Sequence, residues 1–284
     1  MTKIIAICNQ KGGVGKTTTA VNLAACLAAA EKKTLLVDLD PQANATTGVG
    51  FNKMEVKKGS YQVVIGEEPI QSSIIKTELN FLDLLPSQSA LAGAELELVN
   101  LVSRETRLKS ALLSLADQYT YIIIDCPPSL GLLTLNALTA ASFVLIPVQC
   151  EYYAMEGLAD LKRTIGLVRQ RLNPTLEIKG IVLTMFDPRN SLAHQVTQEL
   201  RQHFNQIVFN VAIPRNVRLS EAPSHGKPII LYDVKSKGAV AYFELAQEVL
   251  AQDVEIINET EKMEETYGNK GTEKSVGEGS RLID

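Results

Sequence analysis

The stretch that most constrains this chain is residues 7–18, Ile-Cys-Asn-Gln-Lys-Gly-Gly-Val-Gly-Lys-Thr-Thr. A short apolar run, Ile4-Ile5-Ala6-Ile7, precedes it, and Ala20-Val21-Asn22-Leu23-Ala24-Ala25 follows with helical character. The order strand, glycine loop, helix makes a phosphate cradle. Gly12, Gly13 and Gly15 carry no side chain to hold backbone amides away from anionic oxygens. A helix starting near Lys16 turns its free N–H groups and positive dipole end toward the same place. In such a loop Lys16 reaches the terminal phosphates and the Thr17 hydroxyl ligates Mg²⁺, as in the pattern Gly-x-x-x-x-Gly-Lys-Ser/Thr.

The rest of the chain reads as the frame for that loop. Lys33-Thr34-Leu35-Leu36-Val37-Asp38 is a second, fully buried strand after the first helix. Strand and helix in alternation predict an α/β fold, a single doubly wound, mostly parallel sheet with helices on both faces. Further strands are expected near residues 81–86, 121–125, 142–148, 178–187 and 208–213. Helices are expected near 60–66, 89–102, 108–116, 154–172, 192–204 and 239–250, with Leu91, Glu95, Leu98 and Val102 sharing one side. Carboxylates that end parallel strands point into the crevice where ligands bind. Asp38 and Asp40 do so after the second strand, Asp38 being placed nearer the metal. Tyr121-Ile122-Ile123-Ile124-Asp125 delivers a third, the Walker B arrangement, in which Asp125 holds Mg²⁺ opposite Thr17. The stiff Pro127-Pro128-Ser129-Leu130-Gly131 loop that follows suits sensing of a terminal phosphate.

The glycine that usually opens a phosphate loop is Gln10 here, and a second lysine, Lys11, precedes the glycines. This resembles the deviant Walker A motif of the ParA, MinD and nitrogenase iron-protein ATPases. The resemblance implies ATP and Mg²⁺ as cofactors, with Lys11, Gly12, Gly13, Val14, Gly15, Lys16, Thr17 and Thr18 around the nucleotide. It further implies that ATP joins a homodimer in which Lys11 touches the nucleotide of the other subunit, and that Asp40 polarises the attacking water. Lys11, Lys16 and Asp40 are then the catalytic set. The segment Pro214-Arg215-Asn216-Val217-Arg218-Leu219-Ser220-Glu221-Ala222-Pro223 resembles the adenine-side loop of chromosomal ParA proteins, with Pro214 and Asn216 flanking the purine. Arg189 and Arg218 match basic residues of that branch that hold duplex DNA without sequence readout, and Glu151-Tyr152-Tyr153 is expected at the nucleotide cleft or a dimer contact.

Over roughly residues 3–250 the resemblance is to the ParA/Soj chromosome-partitioning branch, which implies a ParB-type partner that stimulates slow hydrolysis. The alternative is a MinD-like cell-division site-placement ATPase, which needs a terminal basic amphipathic helix for the membrane. An iron-protein relative needs cysteines that bridge a cluster across two subunits, and a tyrosine kinase needs a tyrosine cluster where the tail has only Tyr267.

Charge and composition fit this reading. The net charge is −4, yet residues 252–284 hold nine acidic and four basic residues, leaving 1–251 at 24 basic and 23 acidic. Residues 162–237 hold twelve basic against five acidic, the uneven distribution that weak phosphate-backbone binding requires. For Arg215, Lys227, Lys235 and Lys237 plain solvation serves equally well as a reading. No run of 18 apolar residues and no signal-peptide pattern occurs, so a cytoplasmic protein is expected; the tail shows no basic amphipathic helix for membrane contact, and the ParA/Soj resemblance implies association with the nucleoid. Cys8, Cys26, Cys126 and Cys150 lie apart in apolar runs and read as reduced core thiols, and no zinc site is expected. The domain boundaries are set at 1–254 for the ATPase domain and 255–284 for an acidic tail expected to be disordered.

Overall fold

Segments that read as unbroken apolar runs become strands covered on both faces. In the computed structural model, which describes residues 2–151, 154–204 and 207–268, these are β1 (Lys3–Ile7), β2 (Thr34–Asp38), β3 (Ile75–Lys76), β4 (Leu82–Leu85), β5 (Tyr121–Asp125), β6 (Phe143–Gln149), β7 (Glu177–Phe186) and β8 (Val208–Pro214). They form one sheet in the order β3-β4-β2-β5-β1-β6-β7-β8, parallel throughout except where β3 meets β4. Every residue of β2 and β5 is buried, as two-sided cover demands.

Between the strands run α1 (Lys16–Ala29), α2 (Asn44–Gly48), α3 (Ser60–Ile65), α4 (Leu91–Leu98), α5 (Arg107–Leu113), α6 (Leu132–Ala140), α7 (Ala154–Arg171), α8 (Ser191–Phe204), α9 (Val217–Glu221), α10 (Ile229–Tyr232) and α11 (Lys237–Gly268). Strand side chains alternate between two cores. Ala6, Leu35, Val37, Ile122, Ile124, Val144 and Ile146 pack with Val63, Leu91, Leu98, Leu108, Leu133, Leu158 and Val196 from α3–α8. Their alternates Ile5, Ile7, Leu36, Ile123 and Leu145 are equally buried, on the side where α1 lies against β1, β2 and β5. The sheet turns outward in both directions from β1, which sits between β5 and β6. That switch point opens a crevice at the C-terminal strand ends, where the glycine loop leaves β1.

Several local expectations change. The predicted helix over 89–102 ends at Leu98. Ser103 turns the chain with φ of 54°, and Val102 is left 85% exposed instead of sharing the buried side with Leu91 and Leu98. Short helices appear where loops were expected. α2 falls in the glycine-punctuated stretch, α10 follows the Gly226 turn, and α9 interrupts the Pro214–Pro223 segment, started by Asn216 whose side chain accepts a bond from the Arg218 N–H. The closing helix passes its expected end at Leu250 and continues to Gly268. Residues 269–284 of the acidic segment, and Tyr152 and Tyr153, lie outside the described residues. The chain divides into two units, Met1–Leu245 and Ala246–Asp284, and the whole sheet belongs to the first.

Candidate functional site

The glycine loop adopts the shape its residues permit. Gly13 and Gly15 have φ of 75° and 87°, the left-handed region in which a side chain is strained. A Cβ placed on Gly12 or Gly13 would meet no heavy atom within 4 Å, so the loop backbone borders open space. The loop is tied down from outside. Asn9 donates to the Pro147 carbonyl at 2.7 Å and accepts from the Lys11 N–H at 3.0 Å, and the Thr184 hydroxyl donates to the Val14 carbonyl at 2.8 Å. Lys16 is buried and its Nζ donates to the Lys11 carbonyl at 3.1 Å, folding the charge back over the loop. Burial pulls the Lys16 pKa down, and Asp125 foremost opposes the shift. Lys11 is different: its ammonium donates to the Glu151 carboxylate in the same chain, with both side chains half-exposed.

Asp125 and Asp40 act on Lys16, and Asp38 lies beside both of them. Asp38 and Asp125 are register partners at the ends of β2 and β5, and Asp40 lies two residues past Asp38. Asp38 is fully buried and saturated, accepting from the Thr46 N–H and hydroxyl at 2.7 Å each and from the Asp40 N–H at 3.2 Å. Burial pushes its pKa up to about 6 in spite of the Thr46 bonds. Asp40 accepts from the Gln42 N–H at 2.9 Å and is held from behind by the Ser87 hydroxyl on its carbonyl. Asp125 is fully buried, and neither of its oxygens makes a hydrogen bond of ordinary geometry, although the Thr17 hydroxyl is a nearby donor. Burial and then the Asp38 charge raise its pKa well above the carboxylate range, while the Thr17 hydroxyl and Lys16 favour its charged form. An orphaned carboxylate beside a threonine hydroxyl and a phosphate loop is the donor set of a divalent cation. Asp125 thus keeps lone pairs free of the kind that Asp38 spends on Thr46 and Asp40.

Beside the loop lies a cavity of about 390 Å³ lined by Gly15, Thr18, Thr184, Pro214 and Asn216, among others, with Met185 at φ 50° on its wall. The fold thus brings Pro214 and Asn216 to the loop from 200 residues away. A second cavity of about 250 Å³ adjoins Thr17, Thr18 and Lys227. Arg189 and Arg218 lie outside these cavities on the surface. Arg189, 88% exposed, forks onto Asp187 at 2.9 and 2.7 Å, and Arg218 pairs with Glu221 at 2.9 Å and Asp233 at 3.4 Å. Sequence reasoning missed Thr46, Ser87 and Thr184, because a lone threonine or serine in a short helix, a loop or a strand carries no pattern.

A family model described as an AAA domain matches residues 2–178. The chain is 59% identical over 251 residues to the chromosome partitioning protein ParA of Myxococcus xanthus, covering 88% of this chain and 89% of that one. The chain belongs to the ParA/Soj family. A second member, the sporulation initiation inhibitor protein Soj of Bacillus subtilis, is 57% identical, over 88% of this chain and 99% of that one. Among solved structures, cobyrinic acid a,c-diamide synthase from Mycobacterium smegmatis with bound ATP analogue and magnesium matches with a TM-score of 0.78 at 38% identity, over 88% of this chain and 95% of that one. The ParA/Soj family fold is thus the phosphate-loop α/β sheet expected from the glycine loop. Among the described residues no helix is long and apolar enough to cross a membrane, and no group of three or more His, Cys, Asp or Glu is placed to hold a metal ion.

Proposed function

We propose that this chain is a Mg²⁺-dependent ATPase of chromosome or plasmid partitioning that dimerises on ATP, holds duplex DNA without reading sequence, and is stimulated by a ParB-type partner. The observation that carries the reading is the pairing of an orphaned, buried Asp125 with an open glycine cradle: both lack a partner that a metal–triphosphate supplies. Gly12 to Thr18 would hold the phosphates, Thr17 and Asp125 the Mg²⁺, and Pro214 and Asn216 the purine. Bound Mg²⁺ supplies charge neutralisation to the phosphates. Lys16, already desolvated, orients and neutralises the terminal phosphate, and Asp40 holds the attacking water, its own backbone being fixed by Ser87.

Lys11 is the residue proposed to act in the second subunit. It is exposed enough to leave Glu151, and its release exchanges a half-solvated ion pair for contact with phosphate. Arg189 and Arg218 exchange their own carboxylates for DNA phosphates in the same way. Each contact is weak, so two copies of the basic face bind far better than one, and ATP controls DNA affinity through dimerisation. We further propose residues 1–254 as the ATPase domain and 255–284 as an acidic appendage. The test is sedimentation of wild type and Asp40→Ala with ADP or ATP, with and without duplex DNA. Asp40→Ala is expected to form an ATP-dependent, DNA-binding dimer that does not turn over. A variant that stays monomeric in ATP refutes the role of Asp40.

A further inference from the structure

Two thiols flank the site and have no part in the reading above. Cys8 follows the last residue of β1 and Cys126 follows Asp125, the last residue of β5. Ile7 and Asp125 are register partners, and the Cys126 N–H donates to the Ile7 carbonyl at 3.4 Å, so the ladder extends one rung and sets the two cysteines side by side. Both side chains enter the same core as Ala6 and Ile124, so they lie on one face of the sheet. The Cys8 thiol donates to the Cys126 sulfur across 3.0 Å. Neither is more than 1% exposed, and both are free thiols.

Neighbouring strands lie about 4.8 Å apart, inside the Cα separation of about 4.4–6.8 Å that a disulfide accepts. Bond formation at about 2.05 Å requires the sulfurs to close by about 1 Å from their 3.0 Å separation. A shared metal ion fits less well: two thiolates at about 2.3 Å from one tetrahedral ion stand about 3.8 Å apart. Among the described residues, moreover, no cluster of three metal-ligating side chains exists to complete such a site. Cys150 pairs instead with the Thr197 hydroxyl at 3.7 Å, and Cys26 is buried in α1.

We propose that Cys8 and Cys126 form a reversible disulfide with hydrogen peroxide as oxidant, and that this bond slows the nucleotide cycle by pinning the start of the glycine loop to the Asp125 segment. In the first step one thiol takes an oxygen from peroxide, giving a sulfenic acid and one water. The sulfur of the other thiol then attacks, the S–O bond breaks, and a second water carries off the oxygen with the remaining thiol proton. Two thiols and one peroxide thus yield one disulfide and two waters, and a dithiol reductant reverses the change. Cys8 lies one residue before Asn9, whose bonds hold the loop, and Cys126 abuts Asp125. A closure of about 1 Å shared between them therefore displaces groups whose placement sets the rate.

The test uses the reduced full chain, treated with peroxide and quenched. A non-reducing peptide map is expected to show residues 8 and 126 in one cross-linked species, lighter by two hydrogens. ATP turnover is expected to fall roughly tenfold or more and to return with dithiothreitol. Cys8→Ala and Cys126→Ser should show no cross-link and no reversible loss, whereas a Cys26→Ser, Cys150→Ser double variant should show both. Absence of the cross-link in folded protein, sulfinic acid in its place, or a cross-linked protein with unchanged turnover would overturn the proposal. The effect on turnover rests on the ATPase reading. If the reduced protein hydrolyses no ATP, that reading fails, while the peptide map still decides the disulfide.

Discussion

Glu151→Gln should strengthen the ATP-dependent dimer, because it removes the carboxylate that keeps Lys11 within its own chain. The Lys11 and Glu151 side chains are 40% and 47% exposed, and an ion pair of that exposure contributes about 0.2–1 kcal/mol. In the proposed ATP-dependent dimer one such pair breaks in each protomer. The gain from removing both is therefore about 0.4–2 kcal/mol, a fall in dimer Kd of roughly twofold to thirtyfold. Glutamine keeps the size and polarity of the side chain, so little else changes. The assay is sedimentation equilibrium with a non-hydrolysable ATP analogue, with ADP as the control in which wild type and variant stay alike. Raising ionic strength should narrow the difference, since screening weakens the wild-type pair as well. An unchanged or weaker dimer in the variant refutes the argument, and shows that Glu151 serves the assembled state instead of the free one.

Lys16→Ala should weaken ATP binding by more than about a hundredfold, since it removes one partner of a buried charge cluster; calorimetry that finds tight binding retained would contradict the loop assignment. Burial raises the folded-state pKa of Asp38 from 3.8 to about 6, so the folded chain binds that proton more tightly than the unfolded chain does. The nucleotide-free protein should therefore lose stability as pH rises from about 4 to about 6, by on the order of 3 kcal/mol from this group, and change little from it above. Urea midpoints across that window should differ between wild type and Asp38→Asn, and parallel curves would exclude the effect. Arg189→Glu combined with Arg218→Glu should abolish mobility shifts of duplex DNA while ATP-dependent dimerisation persists; unchanged shifts would remove these arginines from the DNA-binding face.

The elements that sequence foretold are those in which local chemistry decides. The unbroken apolar runs of β2 and β5 could only be covered strands, and Gly13 and Gly15 take the left-handed conformations their lack of a side chain allows. Short helices were harder to see. α9 spans five residues, too few for a period, although Asn216 ahead of Val217 was a legible N-cap. The predicted 89–102 helix overran because apolar spacing continues through Val102, while the turn at Ser103 leaves no partner surface for it.

Sequence by itself determined the phosphate loop, the parallel sheet that carries it, and which aspartates reach the crevice, because each depends on residue type and spacing within a dozen positions. Only the tertiary structure decided which of those aspartates is free. Asp38 is spent on Thr46 and Asp40, whereas Asp125 makes no hydrogen bond of ordinary geometry and has only the nearby Thr17 hydroxyl and Lys16 to favour its charge. The same holds for Lys11 against Glu151 and Cys8 against Cys126, pairs separated by 140 and 118 positions in the chain. Strand register sets such encounters, and register is a property of the folded sheet that no single segment encodes.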